Sequence, residues 1–175
     1  PRRAYYPGGR ARWGQLTHGA PELVTIGDDG EDDTLPWTIV SGLDASHPED
    51  PRFSVEPFCS LLSVTEIGST DPLEFLAQAS EFANEHVWGT LNAMLFVHPR
   101  SDSDPGVRPA LDRALRELRY GTIAINHWPA MVYAFGVPPW GGHPSARLDD
   151  IQSGLGWVHN TLMLERIEKN VLRGP

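Results

Sequence analysis

Leu118-Arg119-Tyr120-Gly121-Thr122-Ile123-Ala124-Ile125-Asn126 is the stretch on which the reading of the fold turns. An amphipathic run stops at Gly121, and a β-branched, apolar segment starts beyond it, the pattern of a helix that delivers the chain into a buried strand. Upstream, from Pro105 or Pro109 to Arg119, Val107, Leu111, Ala114, Leu115 and Leu118 line one side while arginines and acids line the other, which predicts a helix. Leu91 to Val97, closed by His98-Pro99, has the length and apolarity of another strand. Before it, Asp71 is placed to cap a helix, with Pro72 at the first helical position and Glu74 able to reach back to the cap. Leu73, Leu76, Ala79, Phe82 and Ala83 give that helix its apolar face, and Leu61-Leu62-Ser63-Val64 reads as a strand before it. Strand, helix, strand, helix, strand predicts an α/β fold with right-handed parallel βαβαβ crossovers.

The flanks are less regular. Residues 1–55 are punctuated by Pro7-Gly8-Gly9, Gly27, Gly30, Pro36 and Pro48, leaving two short strands, Leu23–Ile26 and Trp37–Val40, among loops. The acidic run Asp28-Asp29-Gly30-Glu31-Asp32-Asp33 lacks the alternating ligand spacing of a calcium-binding loop and reads as a solvated turn. After Asn126 comes a long loop rich in aromatic and turn residues, including Trp128, Tyr133, Phe135, Pro139, Trp140, Gly141 and Gly142. Long structured loops often carry function. The tail from Trp157 to Leu172 fits a strand or a short helix and invites a partner subunit. The expectation is one domain over 1–175, with 1–55 irregular, 56–156 the core and aromatic loop, and 157–175 an oligomerisation segment.

Bulk composition narrows the class. In 175 residues, 40% hydrophobic content with 6 Trp and 6 Phe supplies a core for a globular domain. A net charge of −9 and a pI near 5.1 exclude the basic footprint of a nucleic-acid binder. The single cysteine excludes an internal disulfide, and no leader or membrane-length apolar run is visible, so a reducing cytoplasm is expected and no membrane partner. The sequence begins at Pro1 rather than Met, which reads as a piece of a longer polypeptide.

Standard catalytic patterns are missing: no nucleophile elbow, phosphate-binding Gly-rich loop, zinc-protease helix, Cys-x-x-Cys or complete dinucleotide fingerprint occurs. The histidines, His18, His47, His86 and His98 among them, have no metal-ligand spacing. Cys59 has no cation or histidine beside it in sequence, so it reads as a structural thiol rather than a nucleophile. Glu56 and Phe58 differ from it in standing at the head of a strand, where side chains reach ligand crevices in α/β proteins. A carboxylate there accepts hydrogen bonds from the two hydroxyls of a ribose, and an aromatic ring packs on a flat heterocycle.

Taken in order, these segments resemble the aldehyde dehydrogenase superfamily. Glu56-Pro57-Phe58-Cys59 is similar to its E-x-F-G-P signature. Asp71-Pro72-Leu73-Glu74 through Phe82-Ala83-Asn84 and Trp88-Gly89-Thr90-Leu91 resemble its asparagine-ended helix and Y-G-L turn. Leu118 to Asn126 resembles its L-x-x-G-x-V-x-I-N strand, Pro139-Trp140-Gly141-Gly142 its P-F-G-G turn, and Ser153-Gly154-Leu155-Gly156 its S-G-x-G. Glu165 to Pro175 looks like its closing strand. The resemblance runs from about residue 20 to 175, with Cys59-Ser60 replacing the Gly-Pro of the signature.

The resemblance implies a parallel-sheet half-domain of the family's catalytic domain with a carboxyl-terminal oligomerisation strand. It gives Glu56 a contact to the nicotinamide ribose and Phe58 a place near the nicotinamide, and sets Asn126, His127, Trp128, Tyr133 and Phe135 around an aldehyde tunnel. Their aromatic character suits an apolar aldehyde. The implied reaction is oxidation of an aldehyde to a carboxylic acid through a cysteine thiohemiacetal, with hydride passed to NAD or NADP and the thioester hydrolysed. The family's catalytic cysteine and dinucleotide domain have no counterpart in this sequence. This chain alone is thus expected to be inactive and to leave cofactor binding to the full-length protein, which would form a homo-oligomer through residues 161–172. A non-catalytic pseudoenzyme or assembly module of the same fold is the alternative.

Overall fold

The computed structural model describes residues 1–31, 33–160 and 162–174. The fold resolves into two compact units: Pro1–Gly68 with His86–Trp88, and Ser69–Glu85 with Gly89–Pro175.

The first unit contains β1 (Arg2–Arg3), α1 (Gly9–Thr17), β2 (Glu22–Ile26), β3 (Thr34–Leu35), β4 (Trp37–Asp44), α2 (Pro51–Ser54) and β5 (Leu61–Glu66). β2, β4 and β5 form one sheet, β2 antiparallel and β5 parallel to the central β4. Alternation along the strands sends Thr38 and Val40 inward, both almost wholly buried. The Trp13 indole N–H of α1 donates to the Thr38 hydroxyl at 2.9 Å. Val24, Ile39 and Leu62 share one row across the sheet, with Ile26 beside Trp37, and this opposite row leaves Val24, Ile26, Trp37 and Leu62 exposed. The helix α1 was not expected. Pro7-Gly8-Gly9 reads as loop, yet Gly8 takes φ 73° at the cap and the helix starts at Gly9.

The second unit contains α3 (Pro72–Glu85), β6 (Asn92–Leu95), α4 (Pro99–Ser103), α5 (Arg108–Glu117), β7 (Thr122–Ile125), α6 (Met131–Phe135), β8 (Trp140–Gly141), β9 (Trp157–Val158) and β10 (Asn170–Arg173). β7 is buried along its whole length because it is the middle strand of an all-parallel sheet, between β6 and β10. Leu111, Leu115 and Leu118 pack with Tyr120, Ile123 and Ile125, and Leu76 and Ala83 of α3 cover this cluster.

Three expectations change here. The strand at Leu61 joins β4 in the first unit instead of opening the second unit's sheet, so the parallel sheet there is β6, β7 and β10. The alternating exposure of β5 explains why: a strand with one wet face does not suit the interior of a parallel sheet. The closing strand begins at Asn170 and pairs with β7 of its own chain, Asn170 opposite Thr122; of the segment expected to oligomerise, Thr161 lies outside the described residues. At α3 the Asp71 carboxylate does accept from the Leu73 N–H at 2.9 Å. Glu74, however, accepts from the Ser69 hydroxyl at 2.8 Å, and Ser69 in turn accepts from the Asp71 N–H at 3.2 Å, so the cap closes through a serine relay.

Candidate functional site

In the first unit, a one-turn helix sets the residues ahead of β5. Asp50 caps α2 by accepting from the Arg52 N–H at 2.9 Å, and Pro51 takes the first helical position. The chain then extends through Val55 to β5, and Trp88 docks on the turn by donating its backbone N–H to the Phe53 carbonyl at 3.0 Å. Arg52, Phe53, Glu56, Leu61, Leu62 and Trp88 are among the residues that line a hollow of about 240 Å³. Glu56 is exposed at its wall, and among the described residues no hydrogen bond or ion pair engages its carboxylate. A free carboxylate beside an indole and aliphatic side chains is chemically suited to a ribose with an attached flat ring.

Phe58 lines a different hollow, also about 240 Å³, with Tyr5, Tyr6, Trp37 and Cys59. Its ring lies 4.9 Å from that of Tyr6, with the Arg12 guanidinium 5.7 Å from its centroid. Phe58 has φ 47°, a left-handed conformation that costs energy for a bulky side chain. Arg12 holds the turn by donating from Nε to the Pro57 carbonyl at 3.0 Å. Nearby, Arg10 pairs with Asp29 at 2.8 Å. Burial pushes the Cys59 thiol above its ordinary range, opposed only weakly by Arg12. A protonated, half-buried thiol is a poor nucleophile, as expected of a structural cysteine.

In the second unit, Asn126 ends β7 at φ 53° with both ends of its amide spent on one residue. Its Oδ1 accepts from the Val97 N–H at 2.8 Å, and its Nδ2 donates to the Val97 carbonyl at 2.8 Å. These two bonds fix the chain leaving β6 to the end of β7, so the side chain acts as a clamp. Nδ1 of the neighbouring His127 is enclosed and has no partner among the described residues. Trp128 and Phe135 are exposed, while Tyr133 packs edge-on against Trp140 at 5.9 Å and against His159 at 5.0 Å. Trp140 and His159 were not singled out from the sequence as companions of Tyr133. The signal lay in β8 and β9, a pair whose antiparallel register sets Trp140 opposite Val158, beside His159.

The glycine-rich motifs owe their composition to close backbone approach. A Cβ on Gly121 would stand 1.9 Å from the Gly141 carbonyl oxygen, and one on Gly141 would stand 2.2 Å from that of Gly156. The turn at Gly89-Thr90 is held from the Ser153 segment: the Thr90 N–H donates to the Ser153 hydroxyl at 2.7 Å, and the Gly89 N–H to the Gln152 side chain at 2.8 Å. Asn84, at the end of α3, accepts from the Arg119 N–H at 2.7 Å and donates to the Glu117 carbonyl at 2.9 Å, tying α3 to the end of α5. Among the described residues no cluster of His, Cys, Asp or Glu is arranged for a metal, and no helix is long and apolar enough to cross a membrane.

No protein-family description matches the sequence, and no curated protein matches it. Among solved structures, 1-pyrroline-5-carboxylate dehydrogenase from Thermus with bound NAD is similar at 22% identity and a TM-score of 0.56, over 78% of this chain and 24% of that one. A second structure of 1-pyrroline-5-carboxylate dehydrogenase gives the same values. This chain therefore spans about a quarter of the length of either structure. The likeness is one of fold: the chain is built like part of 1-pyrroline-5-carboxylate dehydrogenase.

Proposed function

We propose that this chain is the carboxyl-terminal part of an NAD(P)-dependent aldehyde dehydrogenase that oxidises an aldehyde to a carboxylic acid. The observation that carries the reading is the unengaged Glu56 carboxylate on the wall of a hollow shared with Trp88 and Leu62, supported by the shared fold. NAD or NADP would accept the hydride. Glu56 accepts the two ribose hydroxyls and thereby orients the nucleoside. Phe58 packs near the nicotinamide; the cost of its positive φ supports a role for the ring, since strain of this kind persists where the surroundings and the function hold it.

His127, Trp128, Tyr133 and Phe135 line the approach of an apolar aldehyde, and Asn126 positions that loop by its clamp on Val97. The nucleophilic cysteine is supplied by polypeptide outside this chain, so residues 1–175 alone are inactive. The protein works in the cytoplasm as a homo-oligomer through residues 161–172, where β10 is an edge strand with one side paired to β7.

The test is nicotinamide reduction by the full-length protein with short and long aldehydes. Glu56→Ala is expected to lower kcat/KM by about tenfold or more, the loss of one or two hydrogen bonds to the cofactor. An unchanged rate contradicts the role given to Glu56. One observation favours a non-catalytic assembly module instead, namely the exposed apolar row of Val24, Ile26, Trp37 and Leu62, which is the kind of surface that binds protein. Absence of nicotinamide reduction with every aldehyde, together with stable association, would select that alternative.

A further inference from the structure

Arg52 makes an ion pair through Nε with Asp50 at 2.8 Å, and only 10% of its side chain is exposed. Its NH1 is enclosed by protein and, among the described residues, has no hydrogen-bond partner. A buried guanidinium N–H left unbonded is destabilising, the more so because the donor is charged, so folded proteins retain few of them. Arg52 is also on the wall of the hollow that holds Glu56 and Trp88. The hollow thus carries an acid for a diol, an indole for a flat ring and a cation with an unmet donor. Aliphatic Leu61 and Leu62 are also part of the lining.

These three groups match the three parts of one ligand class. A nucleoside monophosphate has a heterocycle, a ribose diol and a phosphate within a single small molecule. Guanidinium is the side chain whose planar fork suits phosphate, and the Asp50 pair fixes that fork while leaving NH1 free. We propose that Arg52 is the phosphate-binding residue of this hollow, holding the 5′-phosphate of the nicotinamide nucleotide half whose ribose Glu56 accepts. The proposal rests on the cofactor reading of Glu56 and adds one contact to it. The role requires NH1 to turn toward the phosphate while Nε keeps its bond to Asp50.

The experiment measures binding by calorimetry to the full-length protein, with nicotinamide mononucleotide and nicotinamide riboside as probes, ligands that differ only in the phosphate. Wild type should bind the mononucleotide about tenfold more tightly than the riboside. Arg52→Gln retains an amide able to reach Asp50; it should erase that advantage and leave riboside affinity unchanged. Equal affinities of wild type for the two probes, a comparison that needs no variant to fold, would overturn the role of Arg52. So would an advantage that survives Arg52→Gln. In both cases riboside binding that still depends on Glu56 leaves the nucleoside reading standing. If neither probe binds, the cofactor reading fails, and the role of Arg52 fails with it.

Discussion

At Asn126 one side chain does the work of a strand pair: its amide completes both backbone groups of Val97 while its own backbone sits at φ 53°. Asn126→Ala removes two hydrogen bonds and puts a Cβ-bearing residue without local polar contacts in a left-handed conformation, for an expected loss of about 2–4 kcal/mol. Asn126→Gly loses the same bonds without the conformational penalty and should fall between Ala and wild type. Urea unfolding of the three proteins measures the order; an Ala variant as stable as wild type would remove the clamp from the account. The same reasoning, turned on reactivity, applies to Cys59. Because burial holds its thiol above the ordinary range, iodoacetamide should label it slowly at pH 7, with the rate climbing only in strongly alkaline buffer. Fast labelling at neutral pH would revive a thiol-based chemistry for this chain.

Among the elements, α5 shows how burial sorts consequences along ten residues. Leu111 is almost wholly buried against β7, whereas Arg113, two residues on, is exposed. Leu111→Ala should cost about 2–5 kcal/mol, and Arg113→Ala less than about 0.5 kcal/mol, read as shifts in the midpoint of thermal unfolding. Elements of this kind were legible in the sequence because periodicity is local: the α5 stripe, the all-apolar β7 and the Asp71-Pro72 start of α3 each announce themselves within a few residues. What is non-local was not legible. The alternating pattern of β5 says that one face is wet but does not say that its partner is β4, and the tail pattern does not reveal that Asn170 will lie opposite Thr122. Short elements were also lost. The single turn Pro51–Ser54 carries too few residues for a period, although Asp50-Pro51 repeats the Asp-Pro cap signal of α3, and with that turn the position of Arg52 was lost. Glu56 stood out in the sequence because a strand-end carboxylate is a recognisable feature. The chemistry around it, Arg52 and Trp88, comes together only when residues 52 and 88 fold onto one hollow.

For the molecule as a whole, acid is the informative variable, because the groups shifted within the acid range, His143, Glu168 and Asp44, share one direction of effect. Burial, aided by the charges of Lys169 and Arg119, pulls His143 below its ordinary value near 6.5, although its bond to Glu168 opposes this. Above that value the imidazole is neutral in both folded and unfolded chains and contributes no pH dependence. Below it the unfolded chain takes up a proton that the folded one refuses, so stability falls as pH drops from about 6.5 through the lower folded value. A second loss comes at lower pH. Glu168, held down first by Lys169 and then by His143, and Asp44, held down by Ser46, are both below the ordinary carboxylate range; their contribution is present above that range and lost as pH falls through their folded values. Near pH 5.1 the net charge of −9 has titrated away and solubility should be at its minimum, so the measurement needs dilute protein. Thermal unfolding midpoints are therefore expected to be level from pH 8 to 7, to decline in a first step below 6.5 and to decline again in the carboxylate range. His143→Gln should flatten the first step alone, leaving the second. If the first step persists unchanged in that variant, the group responsible is another histidine, and the buried ring of His143 does not set the acid limit of the fold.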